Sequence, residues 1–505
     1  MIIISWMKDN KIFYLIGGFI FSIFSIGRYN IPIFIYIWPF CFLSYLHQKE
    51  TKLIPIIIVI ACLILSNMIR WIGMTNDTIF LDFSMGLYYS IINIIPFVID
   101  KLLYNHISKW ASIFLFPLLV SCLEFIFSFC PLANYNCYAY ALRDNIQIIQ
   151  ISSLFGCYFL SFILALFPSI LDYSLELYKK DNNLISKFLY LYALLYLIIY
   201  IFGSIRLLLP EEKGKYNIAG ALGISQYLDS INQKAELPIS DYMEYINDTI
   251  IRAKNSESKI IIYGEEAFAI FKNDREEIVN KTAELAKENN IYVVLTLDIE
   301  YKEDYLTNEA VLISDKGDIL YNYQKQHLIP VLEGSYYEEM KETKVIKTDL
   351  GNLGLVICYD IVFPYYINSL SRDDIDILLV PSWDWEGITE FHSVNVRFRS
   401  IENGFNVIKI TANGIVLSTD YKGRFLSYYN GNNYDDFFVI SQVNKKGIKT
   451  LYSYIGIFFN YLYMLAIIVI IIIGRCQIVK EEKSNNRIDS DFDALSGLKD
   501  MAIEY

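Results

Sequence analysis

Long apolar runs dominate the first part of the chain and recur once near its end. Seven of them lie before about residue 209, and an eighth follows a long polar region. Each run is close to the roughly 20 residues that cross a bilayer as a helix. The pattern predicts a multi-pass α-helical membrane domain of seven helices over residues 1–209 and an eighth transmembrane helix at 451–474. The runs cover about residues 12–27, 31–47, 53–69, 80–99, 110–130, 150–172, 188–208 and 452–473.

The polar region, residues 210–450, carries charges throughout and has a different periodicity. Short β-branched runs alternate with stretches whose apolar residues recur every three or four positions, as on an amphipathic helix. This alternation favours a layered α/β domain around one core. The polar residues 475–505 predict a flexible tail. Strands are predicted at Asn217–Ile224, Lys259–Tyr263, Ile291–Leu297, Ala310–Ser314, Leu353–Cys358, Ile375–Val380, Asn406–Thr411 and Phe437–Ser441, and helices at Ile239–Lys254, Asp274–Asn289 and Thr389–Asn403.

Composition supports a membrane protein and removes other classes. Apolar residues make up 54% of the chain and charged residues only 19%, against roughly 45–50% and 25% in soluble proteins. The net charge of −12 leaves no basic surface for nucleic acid. The aromatic content of 16% excludes a disordered chain. The sequence therefore predicts an integral membrane protein with one large polar domain.

The basic residues beside the apolar runs predict the orientation of the chain. With a cytoplasmic N-terminus, thirteen lysines and arginines flank the inner ends of the runs, whereas the three short outer loops carry Arg28, Arg70 and Arg143 only. This asymmetry places the polar domain outside and both termini in the cytoplasm. Glu124 lies inside an apolar run, so we expect it to face the helix bundle and to form hydrogen bonds there.

The eight cysteines are unevenly distributed. The polar region contains only Cys358, so a disulfide framework within that region is impossible. A single thiol on the outer side of a membrane is either used chemically or buried as a small apolar residue. The position of Cys358 at the end of a predicted strand keeps both interpretations open.

Three strand ends carry residues with complementary chemistry. Glu265 and Glu266 follow an apolar strand, Lys325 lies in a turn-like stretch, and Cys358 ends a buried strand. A carboxylate can take the thiol proton, an ammonium can support a thiolate and then an oxyanion, and sulfur can carry an acyl group as a thioester. If the strand ends converge, they form a nucleophilic site.

The motifs around these residues resemble those of the nitrilase superfamily, whose Glu-Lys-Cys triad lies on an αββα sandwich. With seven spans before the domain and one after it, the chain resembles the apolipoprotein N-acyltransferase family. The base motif selects Glu265, and we expect Glu266 to be the solvated one. The motifs are Tyr263-Gly-Glu265-Glu-Ala267, Lys325-Gln-His327-Leu-Ile-Pro330-Val-Leu-Glu333 and Ile357-Cys358-Tyr359-Asp360, followed by Arg397–Gly404 and Thr411–Ile415.

The resemblance implies an acyltransferase with a defined set of roles. Cys358 is the nucleophile, Glu265 the base and Lys325 the oxyanion support, while Glu333, Tyr359 and Asp360 are supporting residues. The implied reaction moves an acyl chain from a membrane phospholipid to the N-terminal amine of a diacylated apolipoprotein through a thioester, without metal or organic cofactor. The implied location is a bacterial inner membrane.

Several positions depart from the family motifs, and two other functions stay open. Tyr-Gly replaces Trp-Pro before Glu265, Asp360 replaces glutamate, Val331-Leu332 replaces Phe-Gly, and Ser382–Trp385 replaces an Asn-Asp-x-Trp sequence. We expect these changes to bear on substrate recognition. The alternatives are a membrane-tethered nitrilase-type amidase and a non-catalytic sensor or transporter.

The two histidines of the polar region, His327 and His392, raise a further alternative. Neither lies in a matching cysteine-protease signature. With one cysteine and no closely spaced ligand pair, they also make a poor zinc site. The two histidines therefore favour neither a cysteine protease nor a zinc site.

Overall fold

The computed structural model describes most of the chain. The described residues are 11–48, 53–75, 79–133, 135–177, 182–211, 214–223, 237–302, 305–330, 332–334, 344–371, 373–430 and 438–501. Some residues of the predicted elements and motifs lie outside these ranges, namely Ile224, Val331 and Phe437. So do five of the thirteen basic residues beside the apolar runs: Lys8, Lys49, Lys52, Lys179 and Lys180.

The described residues before about residue 209 form a helical bundle. Six helices within the described ranges are long and apolar enough to cross a membrane, namely Leu53–Trp71, Ile79–Leu103, Trp110–Phe127, Cys157–Leu175, Ser186–Leu208 and Ile457–Lys480. The helices are α1 (Lys11–Ile23), α2 (Phe34–His47), α3 (Leu53–Trp71), α4 (Ile79–Leu103), α5 (Lys109–Phe127), α6 (Ile146–Ile149), α7 (Ser152–Phe155), α8 (Cys157–Leu177) and α9 (Asn182–Leu208).

Helix lengths differ from the predicted runs at three places. The first two runs become helices of only 13 and 14 residues, separated by a 3₁₀ turn at Gly27–Tyr29. The sixth run is divided, because Gly156 has φ +79° and a Cβ there would lie 2.5 Å from the Tyr452 ring. Only glycine accommodates both constraints, so the chain turns before α8 begins.

Glu124 lies where the sequence predicts, in the interior of the bundle. Its carboxylate accepts the Tyr138 backbone N–H at 2.7 Å and the Cys137 thiol at 3.2 Å. The carboxylate is thereby satisfied within the protein and does not face lipid. The interpretation of Glu124 as a buried, hydrogen-bonded residue is confirmed.

The polar domain contains two β-sheets packed face to face. The first has the order β13-β1-β2-β4-β5-β6, with β3 paired to β4, and the second has the order β12-β11-β10-β9-β8-β7. The strands are β1 (Lys215–Ala221), β2 (Ser258–Tyr263), β3 (Phe268–Phe271), β4 (Tyr292–Lys302), β5 (Tyr305–Ile313), β6 (Ile319–Gln324), β7 (Ile346–Thr348), β8 (Gly351–Leu355), β9 (Ile377–Trp383), β10 (Asn406–Ala412), β11 (Ile415–Thr419), β12 (Phe425–Asn430) and β13 (Phe438–Asn444).

Helices cover the outer face of each sheet. On β2, Ile260 and Ile262 point into the core between the sheets, whereas Ile261 packs under the helices of the first sheet. This alternation is what buries both faces of a sheet. The predicted αββα sandwich is confirmed. Its helices are α10 (Ile239–Asn255), α11 (Arg275–Asn289), α12 (Pro364–Ser371) and α13 (Thr389–Asn403).

Helix α13 joins the sandwich to the bundle, and its described side chains are almost all buried. Val394, Phe398 and Ile401 pack with apolar residues of the bundle. At its end, the Glu402 carboxylate accepts the Cys157 backbone N–H at 2.7 Å and pairs with Arg399. The two parts of the chain therefore share one continuous core.

The C-terminal region is helical for longer than the sequence predicts. A short helix, α14 (Leu451–Ile455), is followed by Gly456 with φ +46° and then by α15 (Ile457–Met501). Where the sequence predicts an end at residue 474 and a flexible tail, the backbone continues as helix through Met501.

Candidate active site

Strand direction explains why the predicted residues converge. Strands β2, β4 and β6 run in the same direction, since β4 and β6 are each antiparallel to β5. Strands β8, β9 and β10 are parallel in the other sheet. Glu265 and Lys325 follow strands of the first sheet, and Cys358 follows a strand of the second. The Glu265 backbone N–H donates to the Ser382 carbonyl at 3.2 Å and joins the two edges.

Lys325 lies at the centre of the site with 1% of its surface exposed. Its ammonium donates to Glu265 Oε1 at 2.7 Å and also to Glu333 Oε1. Burial lowers the pKa of Lys325, but the two carboxylates more than offset this effect and raise it well above its usual value. Lys325 is therefore a permanent cation, the state needed to stabilise an oxyanion.

The Glu265 carboxylate is held by three donors. Besides Lys325, the Asn308 side-chain amide donates to Oε1 at 2.8 Å and the Trp383 backbone N–H donates to Oε2 at 2.7 Å. The side chain is buried, so its orientation is set by these bonds and not by solvent. Asn308 also accepts the Lys325 backbone N–H at 3.0 Å. Sequence reasoning missed Asn308 because it lies within a strand and outside the three motifs.

Cys358 has a strained backbone and a buried thiol. Its φ is +46°, which is uncommon for a residue with a side chain, and it begins the 3₁₀ turn Cys358–Val362. Its Sγ lies 3.9 Å from the Trp383 carbonyl oxygen, and only 1% of the residue is exposed. Burial and the Glu265 charge raise the pKa of the thiol well above its usual value, against an opposing effect of Lys325. The thiol thus needs a base before it can attack.

The supporting residues separate into two groups. Glu333 contacts Lys325 directly, and its other oxygen accepts the Ile329 backbone N–H at 2.7 Å. Asp360 instead holds the Cys358 turn, because it accepts the Ile357 and His327 backbone N–H groups at 3.1 and 2.9 Å.

The third supporting residue, Tyr359, points to the bundle. Its hydroxyl donates to the Pro131 carbonyl at 3.0 Å. Among the described residues, neither Tyr359 nor Asp360 lines the cavity beside Glu265. Asp360 thus holds the Cys358 turn, and Tyr359 links that turn to the bundle.

A cavity of about 400 Å³ opens beside Glu265 and Glu333. Its walls come from both parts of the chain, and the Trp385 indole N–H fastens them by donating to the Met74 carbonyl at 2.6 Å. Glu266, predicted to be solvated, is half-buried and lines this cavity, where burial raises its pKa well above the usual value. The lining residues are Thr75, Leu81, Glu265, Glu266, Ile329, Leu332, Glu333, Trp383, Asp384, Trp385 and Asn413.

Comparison with known proteins gives the class of this domain. Residues 240–435 match the carbon-nitrogen hydrolase family. Deaminated glutathione amidase of Dictyostelium discoideum is 35% identical over 151 residues, 27% of this chain and 52% of that protein. An amidase from Nesterenkonia sp. aligns in structure over 46% of this chain and 93% of its own, with 17% identity and a TM-score of 0.39. The family match thus covers most of the α/β domain but less than half of the chain.

One relative matches a longer part of this chain than the α/β domain alone. Apolipoprotein N-acyltransferase of Rickettsia prowazekii (strain Madrid E) is 23% identical over 368 residues, 67% of this chain and 71% of that protein. The chain spans 52% of the length of the Dictyostelium discoideum deaminated glutathione amidase and 41% of the length of the one from Synechocystis sp. (strain PCC 6803 / GT-S). Over about two thirds of its length the chain is therefore similar to an apolipoprotein N-acyltransferase, as its motifs suggest.

Proposed function

We propose that this protein is a phospholipid:apolipoprotein N-acyltransferase that works through a thioester on Cys358. The observation that carries the proposal is the Lys325 ammonium held between Glu265 and Glu333 beside a buried thiol. The cavity at this cluster is lined by residues of the helical bundle as well as of the sandwich. Such a site is suited to substrates that remain partly in the bilayer, since transfer of acyl chains into water is costly.

In the first half-reaction, Glu265 takes the proton of the Cys358 thiol and the thiolate attacks the acyl ester of a phospholipid. Lys325 stabilises the oxyanion that forms. Glu265 then returns its proton to the departing alcohol of the lysophospholipid, and the acyl group remains on sulfur. Glu333 keeps Lys325 in place through this step.

In the second half-reaction, the N-terminal amine of a diacylated apolipoprotein attacks the thioester. Glu265 accepts a proton from the attacking nitrogen, and the Cys358 thiolate leaves. The thioester conserves the energy of the donor ester, so the transfer requires no further activation.

The proposal includes a location. Six apolar helices of membrane-spanning length support embedding in a membrane. We further propose a bacterial inner membrane with the sandwich on the outer side, based on the distribution of lysine and arginine beside the helices. Labelling of an engineered cysteine in the sandwich by an impermeant reagent in intact cells tests this orientation.

The reaction itself is tested by intact mass spectrometry of the purified, detergent-solubilised protein after incubation with phospholipid. The proposal expects a hydroxylamine-sensitive gain of one acyl chain that a diacylated lipopeptide removes. Cys358→Ala should show no gain, whereas Cys476→Ala, which alters an exposed cysteine near the C-terminus, should behave as wild type. A thioester discharged only by water, or acylation only by small amides, would favour the membrane-tethered amidase, which the amidase relatives also suggest. No adduct with any donor would contradict both.

A further inference from the structure

A second charged cluster lies beside Cys358. It consists of Asp384 in the loop after β9, His392 on α13 and Lys409 on β10, and all three are buried. A ligand atom of each of Cys358, Asp384 and His392 lies within 4.8 Å of the others. The triad mechanism described above uses neither Asp384, His392 nor Lys409.

Asp384 is held as a carboxylate. The Lys409 ammonium donates to Oδ2, and His392 Nδ1 lies 2.8 Å from Oδ1. Burial opposes ionisation of Asp384, but Lys409 and His392 more than offset it and lower its pKa to about 2. An ionised Asp384 can only accept, so Nδ1 carries the proton when His392 is neutral.

The other nitrogen of His392 is therefore the basic one. Nε2 lies 2.9 Å from the hydroxyl of Tyr135, which comes from the loop that follows α5. Burial is the main cause that raises the pKa of Tyr135 well above its usual value, so the hydroxyl stays protonated and donates to Nε2. The result is a directed chain from Tyr135 through His392 to Asp384.

Aminolysis creates a need for such a base. An N-terminal amine with a pKa of about 8 is mostly an ammonium at neutral pH, and an ammonium cannot attack a thioester. On forming the amide it loses two protons: one ends on the Cys358 thiol by way of Glu265, and the other must leave a buried site. The triad has one base for these two protons.

We propose that His392 accepts this second proton through the Tyr135 hydroxyl, with Asp384 as its positioning residue. The ammonium gives a proton to the Tyr135 oxygen while Tyr135 passes its own proton to Nε2. The free amine then attacks the thioester carbon, the C–S bond breaks, and the products are the amide, the Cys358 thiol and imidazolium. The Asp384 charge stabilises that imidazolium, which later releases its proton to solvent. The inference rests on the proposed function.

The charged surroundings of His392 are consistent with this role. Asp384 faces it from the loop after β9, with Lys409 behind the carboxylate on β10, and Tyr135 faces it from the bundle. Cys358 lies on the fourth side. Of these groups, only Asp384 carries a negative charge next to the imidazole.

The two half-reactions are separated in a single-turnover experiment with the full chain in detergent. Thioester formation from phospholipid is followed by intact mass, and discharge is then started with a diacylated lipopeptide. We expect His392→Gln, whose side-chain amide can still accept a hydrogen bond from Tyr135, to slow discharge about tenfold at about pH 7, because only about a tenth of an amine with a pKa of about 8 is free at that pH. Thioester formation should stay within about threefold of wild type, which also shows that the variant is folded.

Two further readouts distinguish a proton acceptor from a structural residue. The defect of His392→Gln should shrink to about threefold or less near pH 9, where the acceptor arrives as a free amine. Hydroxylamine, which is uncharged at neutral pH, should discharge the thioester of the variant as fast as that of wild type. Tyr135→Phe, which lacks the relaying hydroxyl, should share the step-specific and pH-dependent defect.

The outcomes separate this inference from the proposed function. Wild-type discharge kinetics in His392→Gln, or an equal loss in both half-reactions at every pH, would overturn the inference and leave the thioester mechanism standing. His327→Gln serves as the matched control, because His327 is also paired with an aspartate, Asp360, and we expect it to affect both half-reactions alike. A wild-type protein that forms no thioester would overturn the proposed function and this inference together.

Discussion

The two charged clusters beside Cys358 have opposite arrangements of positive and negative charge. On one side a single cation, Lys325, lies between two carboxylates, Glu265 and Glu333. On the other side a single carboxylate, Asp384, lies between Lys409 and His392. Both clusters are buried, so neither is a surface ion pair of small effect.

The difference lies in which charge can respond to a substrate. Glu265 and Glu333 line the cavity together with Asp384, whereas Lys409 is completely buried behind the carboxylate. Lys325 is also buried, but it lies close enough to Cys358 to oppose the rise of the thiol's pKa. A cation next to the nucleophile can meet a developing oxyanion, whereas a cation behind a carboxylate can only compensate that carboxylate. The comparison predicts that loss of Lys325 affects the reaction most and loss of Lys409 affects folding most.

Loss of Lys325 has the largest expected effect. Lys325→Met removes the oxyanion partner, and we expect thioester formation to slow by about 10²–10³-fold or more. The measurement is the single-turnover rate of acyl-adduct formation at saturating phospholipid. Cys358 should remain alkylatable by iodoacetamide, which shows that the site is still formed. A Lys325→Met variant that acylates within about threefold of wild type would remove Lys325 from the chemistry.

Loss of Lys409 has the second largest expected effect, and it lowers the stability of the fold. Lys409→Met leaves Asp384 without its main counter-charge, and breaking a buried pair in this way costs about 3–5 kcal/mol. The thermal unfolding midpoint in detergent measures the effect. In the double variant Lys409→Met with Asp384→Asn, removal of the orphaned charge should recover part of the loss. An additive double variant would show that the two side chains do not interact as the structure indicates.

The pH dependence of thiol alkylation is an intermediate effect. Burial and Glu265 raise the pKa of Cys358, so the thiol is protonated at neutral pH and the thiolate fraction grows as the pH rises. The rate of alkylation by iodoacetamide should therefore increase about tenfold per pH unit between about pH 7 and 9. Lys325 opposes that shift, so Lys325→Met should be slower at each pH. A rate that is already constant at about pH 7 would show that Cys358 is a thiolate at rest.

The smallest expected effect concerns the hydrogen bond that links the turn Cys358–Val362 to the helical bundle. Tyr359→Phe removes the hydrogen bond to the Pro131 carbonyl, at a cost of about 1 kcal/mol. We expect a reduction of thioester formation by about fivefold or less, without a change in its pH profile. Tyr365→Phe, which removes the hydroxyl at 2.8 Å from His327, is a matched loss of one hydroxyl. If Tyr359→Phe abolished acylation, the Tyr359 hydroxyl would take part in the reaction and not only in holding the turn.

Much of the fold follows from local patterns. The polar domain's alternation of β-branched runs and amphipathic stretches predicted most of its strands and its main helices, because burial of one face leaves a periodic signal. Apolar length was a weaker guide, since the run at 150–172 is divided at Gly156 by a contact with Tyr452. The close approach of Tyr452, which leaves room only for glycine at 156, comes from almost three hundred residues along the chain and leaves no local signal.

The sequence by itself determined the class of this protein, the order of its parts and the three residues with complementary chemistry. Residue type and spacing carry that information, since a thiol, a carboxylate and an ammonium at strand ends have few other uses. Only the tertiary structure decided what surrounds them. Asn308 on Glu265 and His392 beside Cys358 depend on strands and helices that meet from distant parts of the chain. Sequence spacing cannot encode these contacts, because packing of the two sheets against each other and against the bundle decides which side chains meet.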